Sequence, residues 1–94
     1  MDSYRAERHA LLKEFGARLR ELRLRTYSSQ EGFADAARLH RTEIGYLEQG
    51  RREPGLMTLL VLADTLGITL DRLVSGVEVP SGRRPPPEER SGRE

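Results

Sequence analysis

The apolar positions of this 94-residue chain fall into five helical stripes and then stop. Tyr4, Leu11, Leu12, Phe15, Leu19 and Leu22 recur at helical intervals, which predicts one long helix from about Ser3, a candidate N-cap, to about Arg25. A second pattern opens at Ser29, whose hydroxyl can accept a free N–H of the first turn, and puts Phe33, Ala34 and Ala37 on one face of a helix over about 30–37. A third runs over about 41–49 with Ile44, Leu47 and Glu48 inward, and Gly50 stops it. Helix 4 follows Pro54 and runs to about Leu66, with Leu56, Leu59, Leu60, Ala63 and Leu66 as its core face and Gly67 as its stop. A short fifth helix over Leu70–Val74 has Thr69 as N-cap and Asp71 near its positive end. Nothing in the pattern asks for a strand, so the expected class is all-α. From Val77 onward, VEVPSGRRPPPEERSGRE loses its periodicity and fills with proline, glycine and balanced charge, the composition of a disordered tail. The expected organisation is one domain over 1–76 and a tail over 77–94.

The most informative stretch is Ser28–Pro54, SSQEGFADAARLHRTEIGYLEQGRREP. Its two short helices are separated by a gap too small for anything but a sharp turn. Arg41, Thr42, Glu43 and Tyr46 are left on the outer face of the second of them. Such groups can donate to guanine, accept from cytosine or touch a thymine methyl in a DNA major groove. The same four residues also suit an ordinary solvated helix face, and spacing does not separate these readings. Glu48 shares a face with Ile44, which sets it at the edge of the core, where a lone carboxylate is costly. His40 precedes the helix as its N-cap, where its ring can accept from a backbone N–H or reach a phosphate.

SQEGFADAARLHRTEIGYLEQGRREP resembles the helix-turn-helix of the lambda-repressor/Cro-like (XRE-type) transcriptional regulators. Upstream, FGARLRELR (Phe15–Arg23) matches that family's first helix. Downstream, Leu56, Leu59, Ala63, Leu66, Gly67, Ile68 and Leu73 fall where the family places its core. The resemblance covers roughly Phe15–Gly76, so about three turns of the first helix precede it. It implies a five-helix lambda-repressor-like DNA-binding domain whose recognition helix, 41–49, contacts bases with Arg41, Thr42, Glu43 and Tyr46. Gln30, at the start of the second helix, is implied to lie against the DNA backbone. Gln49, Arg51 and Arg52, with His40, fit phosphate contacts that fix register rather than read sequence. The family pattern also pairs Glu48 with Arg23 as a structural ion pair. The chain departs from that pattern at the turn, where Arg38 stands in place of the usual glycine, so a left-handed backbone costing about 1–2 kcal/mol is expected there. Tyr27 and Ser28 replace the usual small residue and leucine.

Composition narrows the functional classes. A chain of this length has room for one domain and no separate effector domain. The absence of cysteine rules out disulfide staples and thiolate metal sites and fits a cytoplasmic setting. The N-terminus MDSYRAERHA is charged from its second residue, unlike a signal peptide, and Leu56–Leu70 is too short and polar to span a membrane. Net charge is only +1, but Phe15–Arg52 holds eight arginines against five acids, an excess of three on the part expected to face DNA. His9 and His40 are too far apart in the pattern to share a metal, so neither a metal nor a cofactor is expected. Gly45–Gly50 has the gap of a phosphate-binding loop, yet Arg51-Arg52 follows where Lys-Ser/Thr is required and no strand precedes. No nucleophile, base and orienting group can be assembled, which argues against an enzyme.

Met57 and Val61 lie opposite the expected core face of helix 4, and a helix apolar all round is usually buried on both sides. They are the candidate homodimer surface, with Val74, Val77 or the Tyr4–Leu12 extension as further contributors; scattered surface apolar residues are the plain alternative. Two functions stay open. One is a regulator reading double-stranded DNA as a two-fold dimer on an inverted-repeat operator. The other is a protein-interaction module, an antitoxin or adaptor, whose protein partner binds through helix 4 or the tail.

Overall fold

The computed structural model describes residues 2–79, which form five helices and no strand among them. In chain order these are α1 (Asp2–Leu24), α2 (Gln30–Ala37), α3 (Arg41–Glu48), α4 (Leu56–Leu66) and α5 (Leu70–Leu73). The all-α, five-helix expectation holds, with most ends within a residue of the sequence reading. Ser3 is not a cap, because α1 already begins at Asp2 and the charged run after it holds no glycine or proline to delay it. Of the expected tail, Val77 packs against the core and donates its N–H to the Val74 carbonyl; residues 80–94 lie outside the described residues.

The core is built where the stripes converge. Phe15, Leu19 and Leu22 of α1 meet Phe33 and Ala34 of α2, Ile44 and Leu47 of α3, Leu62 and Ala63 of α4, and Leu73 of α5. α1 lies along α3, α3 packs on α2, and α4 backs α2 before the chain turns into α5. Helix 4 departs from its expected face: Leu62 is fully buried, whereas Leu56 and Leu60 are 67% and 47% exposed. A helix rich in leucine on every side has no apolar periodicity to orient it, so packing chooses the face. Tyr4 is likewise more than half exposed, because the first turns of α1 project past the core.

Local chemistry ends each helix. Ser29 Oγ accepts from the Gly32 N–H at 3.0 Å, and His40 Nδ1 accepts from the Thr42 N–H at 3.1 Å. Arg38 takes the left-handed conformation (φ 59°, ψ 40°), which lets the Leu39 N–H reach back to the Ala34 carbonyl and starts the turn toward α3. That is the strained position where the family usually has glycine. Gly50 (φ 73°) ends α3 in the same way, with the Arg51 N–H on the Tyr46 carbonyl. Thr69 does not cap α5 with its side chain; it hydrogen-bonds the Asp71 carboxyl and thereby holds it below its ordinary pKa.

One buried ion pair and one glycine fix α3 on α1. Arg23 Nε and Nη2 donate to both carboxylate oxygens of Glu48, at 2.6 and 3.2 Å, with side chains only 5% and 2% exposed. Arg23 Nη1 reaches the Tyr27 carbonyl at 3.2 Å, and the Tyr27 ring packs tilted on Phe33, 5.3 Å between centroids. Seven residues before Arg23, the backbones themselves touch: a Cβ on Gly16 would collide with the carbonyl oxygens of Leu47 and Glu48.

Arg23→Ala should destabilise the domain by about 3–5 kcal/mol, since it strands a buried carboxylate, while Arg23→Met with Glu48→Leu should recover much of the loss. Denaturant unfolding measures both, and a single-variant cost below about 1 kcal/mol would contradict a buried pair. Gly16→Ala should cost at least about 1–3 kcal/mol although it raises helix propensity, because overpacking falls on backbone that cannot rotate away. A neutral or stabilising Gly16→Ala in the same assay would show that α1 and α3 can move apart.

Candidate nucleic-acid interface

The outer face of α3 and the start of α2 form a shallow concave surface of about 420 Å³. Its lining includes Ser29, Gln30, Arg41, Thr42, Tyr46 and Gln49. It exists because Ile44, Leu47 and Glu48 are buried, which turns the residues between them outward. Arg41, Thr42 and Gln49 are exposed there, Tyr46 is half-buried, and the exposed acid Glu31 also lines it, whereas half-buried Glu43 lies outside that lining. Gly45, buried on the α2 side, lies beside the Gln30 side chain, whose Oε1 would be in ordinary contact, 3.5 Å, with a Cβ at that position.

Gln30 Nε2 donates to Glu48 Oε1 at 3.0 Å, so the amide also serves the buried pair. Glu48 therefore accepts three hydrogen bonds, two from Arg23 and one from Gln30, which compensates the desolvation of its charge. Gln30 thus faces the concave surface from a fixed position and ties the start of α2 to the middle of α3. His40 is exposed, with Nδ1 engaged in the cap and the ring at the rim of the α2–α3 turn.

Beyond Gly50 the chain folds back along α3, and two arginines come to lie on Tyr46. The Arg51 and Arg52 guanidinium carbons each stand 5.1 Å from the Tyr46 ring centroid. Arg52 Nη1 also donates to Glu43 Oε1 at 2.7 Å, and Arg51 Nη1 leans toward Gln49 Oε1 at 3.4 Å. These contacts were not legible from helical spacing, since they join residues across the reversal at Gly50. The composition QGRRE marks only a helix stop followed by positive charge. Sequence reasoning also missed Arg8–Glu53, a 3.0 Å exposed pair that ties the extension of α1 to the segment after α3, and Arg18, which donates to the Arg72 carbonyl at 2.7 Å.

Met57 is 75% exposed, on one continuous apolar surface of α4 with Leu56 and Leu60, whereas Val61 is half-buried and its carbonyl accepts from the Thr65 hydroxyl. This surface belongs to a different helix from the concave one. No helix of the described residues is long and apolar enough to cross a membrane.

Comparison with known proteins agrees with this arrangement. The family described as "Helix-turn-helix domain" matches residues 14–75. The HTH-type transcriptional regulator DdrOP3 of Deinococcus deserti is 44% identical over 61 residues, which is 65% of this chain but only 47% of that protein. Control protein C.MunI of a Mycoplasma species is 42% identical over 65 residues, 68% of this chain and 88% of that protein. The chain therefore spans less than half the length of the first relative and most of the second. Among solved structures, the restriction-modification controller protein C.AhdI from Aeromonas hydrophila matches with a TM-score of 0.66 at 42% identity, over 68% of this chain and 97% of that one. With its fold and its sequence in agreement, the chain belongs to the helix-turn-helix transcriptional regulators of the lambda-repressor/Cro-like type.

Proposed function

We propose that the chain is a sequence-specific regulator that binds double-stranded DNA, entering the major groove with α3. The observation that carries this reading is the concave polar face, where Arg41, Thr42 and Tyr46 project from one side of α3. Arg41 forks onto guanine O6/N7, and Thr42 and Tyr46 meet thymine methyls or phosphates. Gln30, His40, Gln49, Arg51 and Arg52 ring that face and hold the sugar-phosphate backbone. The similarity to C.MunI and C.AhdI over nearly their whole lengths supports a controller role for a unit this small. This reading places the protein with its DNA in the cytoplasm and needs no cofactor.

One short helix offers few base contacts, so the working unit is a homodimer on an inverted repeat, with recognition helices about 34 Å apart. The exposed surface of Leu56, Met57 and Leu60, with Val61 at its edge, is the proposed interface. A second reading, an adaptor or antitoxin held by another protein, draws on the same surface; the arginine-bearing face of α3 favours DNA.

Selection from a random duplex library, followed by mobility shift over a salt series, tests DNA recognition. Log affinity should fall with log salt at about −0.9 per neutralised phosphate, and Arg51→Ala should flatten that slope by roughly one unit while weakening all sequences alike. Arg41→Ala should instead relax preference at one base pair by about 1–3 kcal/mol and keep the slope nearer to wild type. Failure to enrich any duplex would leave the protein-partner reading.

Met57→Asp tests assembly more cleanly than a change at half-buried Val61, because it charges the surface without entering the core. Sedimentation should show a monomer of unchanged fold, with operator affinity at least tenfold weaker. A dimeric variant with wild-type binding would move the interface elsewhere, to the α1 extension first.

A further inference from the structure

Arg52 and Glu43 are both exposed enough to meet DNA, yet in the free protein they satisfy each other. Their 2.7 Å ion pair leaves the Glu43 side chain 23% exposed and that of Arg52 51% exposed. Arg51 has the same stacking distance to Tyr46 but no carboxylate partner among the described residues, so the two neighbouring arginines are not equivalent. Glu43 engages only Nη1 of Arg52, so a phosphate contact that draws the guanidinium off the Tyr46 ring breaks that bond, and the released carboxylate then faces a polyanion. That penalty applies on any duplex where nothing replaces the guanidinium. It is offset where a base presents an amino group to Glu43, either cytosine N4 or adenine N6 in the major groove. The nearby backbone donors at the start of α3 do not fill the role, because the Thr42 N–H is committed to His40 and the Glu43 N–H to the His40 carbonyl.

We propose that Glu43 is a specificity-determining residue of this interface, a carboxylate that withholds Arg52 from phosphates until a base amino group takes the place of the guanidinium. The inference rests on the DNA-binding reading above and assigns to Glu43 a coupling role that a base contact alone lacks. On operator DNA one ion pair is exchanged for two new contacts. On unrelated DNA the exchange is incomplete, so sequence-independent binding is held down and the gap between right and wrong sequences widens.

The test uses the full chain as wild type, Glu43→Gln, Arg52→Ala and the double variant, each measured on the library-selected operator and on an unrelated duplex across salt. Glu43→Gln should bind the unrelated duplex three- to tenfold more tightly and steepen its salt slope by up to about one unit. The operator-to-unrelated ratio should fall at least tenfold. On the Arg52→Ala background the same change should raise affinity for the unrelated duplex by a clearly smaller factor, because it then removes only the repulsion of the carboxylate and frees no arginine. In the absence of DNA, the Arg52 guanidinium NMR signals should shift in Glu43→Gln while thermal unfolding stays close to wild type. A carboxylate acting only through space would raise affinity equally in both backgrounds, and that result overturns the proposal. So does a Glu43→Gln protein that loses preference at one base pair with unrelated-duplex affinity unchanged, which makes Glu43 a plain base contact. A wild type that binds duplex with Glu43→Gln indistinguishable from it defeats the exchange alone; a wild type that enriches no duplex defeats the DNA-binding reading beneath it.

Discussion

A single buried charge pair organises this protein. Glu48 lies on the inner face of α3 and Arg23 on α1, 25 residues earlier, and neither has access to water that would solvate it. Taking two such groups out of water is tolerable only when nearly every donor and acceptor finds a partner. The partners found are the ones that build the rest of the site: the Tyr27 carbonyl, which fixes the approach to α2, and Gln30, which fixes its first turn. The rotation of α3 about its own axis, and hence which of its residues look outward, follows from where Glu48 must sit. An apolar pair of equal volume could fill the space, but it would not tie the Tyr27 carbonyl and Gln30 to the same point.

Around that anchor, strain and charge are used sparingly. The left-handed backbone at Arg38 costs stability where glycine would not, yet the reversal it permits brings α3 against α2 within three residues. The face beyond has only a modest positive excess, and one of its arginines is already neutralised by Glu43. Weak long-range attraction joined to rigidly placed contacts favours discrimination over raw affinity. The apolar surface of α4 lies on another helix, so the proposed surfaces for assembly and for recognition share no residues.

What was legible in the chain was whatever follows one period or one cap. The stripes of Phe15, Leu19 and Leu22 and of Ile44 and Leu47, and the oxygen of Ser29, stand in the structure as their spacing requires, because each depends on its own helix. Glu48 was readable as a misfit, a carboxylate on an apolar face. The face of α4 was not, since Leu56, Leu59, Leu60, Leu62 and Leu66 surround it and only tertiary packing decides that Leu62 goes in and Leu56 stays out. Nor were the clamps on Tyr46 or the Arg8–Glu53 and Arg18–Arg72 contacts, which join residues whose proximity is set by chain reversals. Side-chain pattern reveals a helix's faces; it does not say which distant segment will lie across them.

The contact of Gly16 with the Leu47 and Glu48 carbonyls has a mechanical meaning. Where helices meet through long side chains, rotamer changes let one slide on the other; where backbone meets backbone there is no such slack. α3 is therefore a stiff probe. In the proposed dimer, a duplex gripped by two such helices would itself supply the fit, by bending, twisting or narrowing its grooves. The cost of doing so depends on the stiffness of base steps that no side chain reaches. One hydrogen atom in place of a methyl group, deep between two helices, would on the proposed function shift part of the burden of recognition from the protein to the DNA.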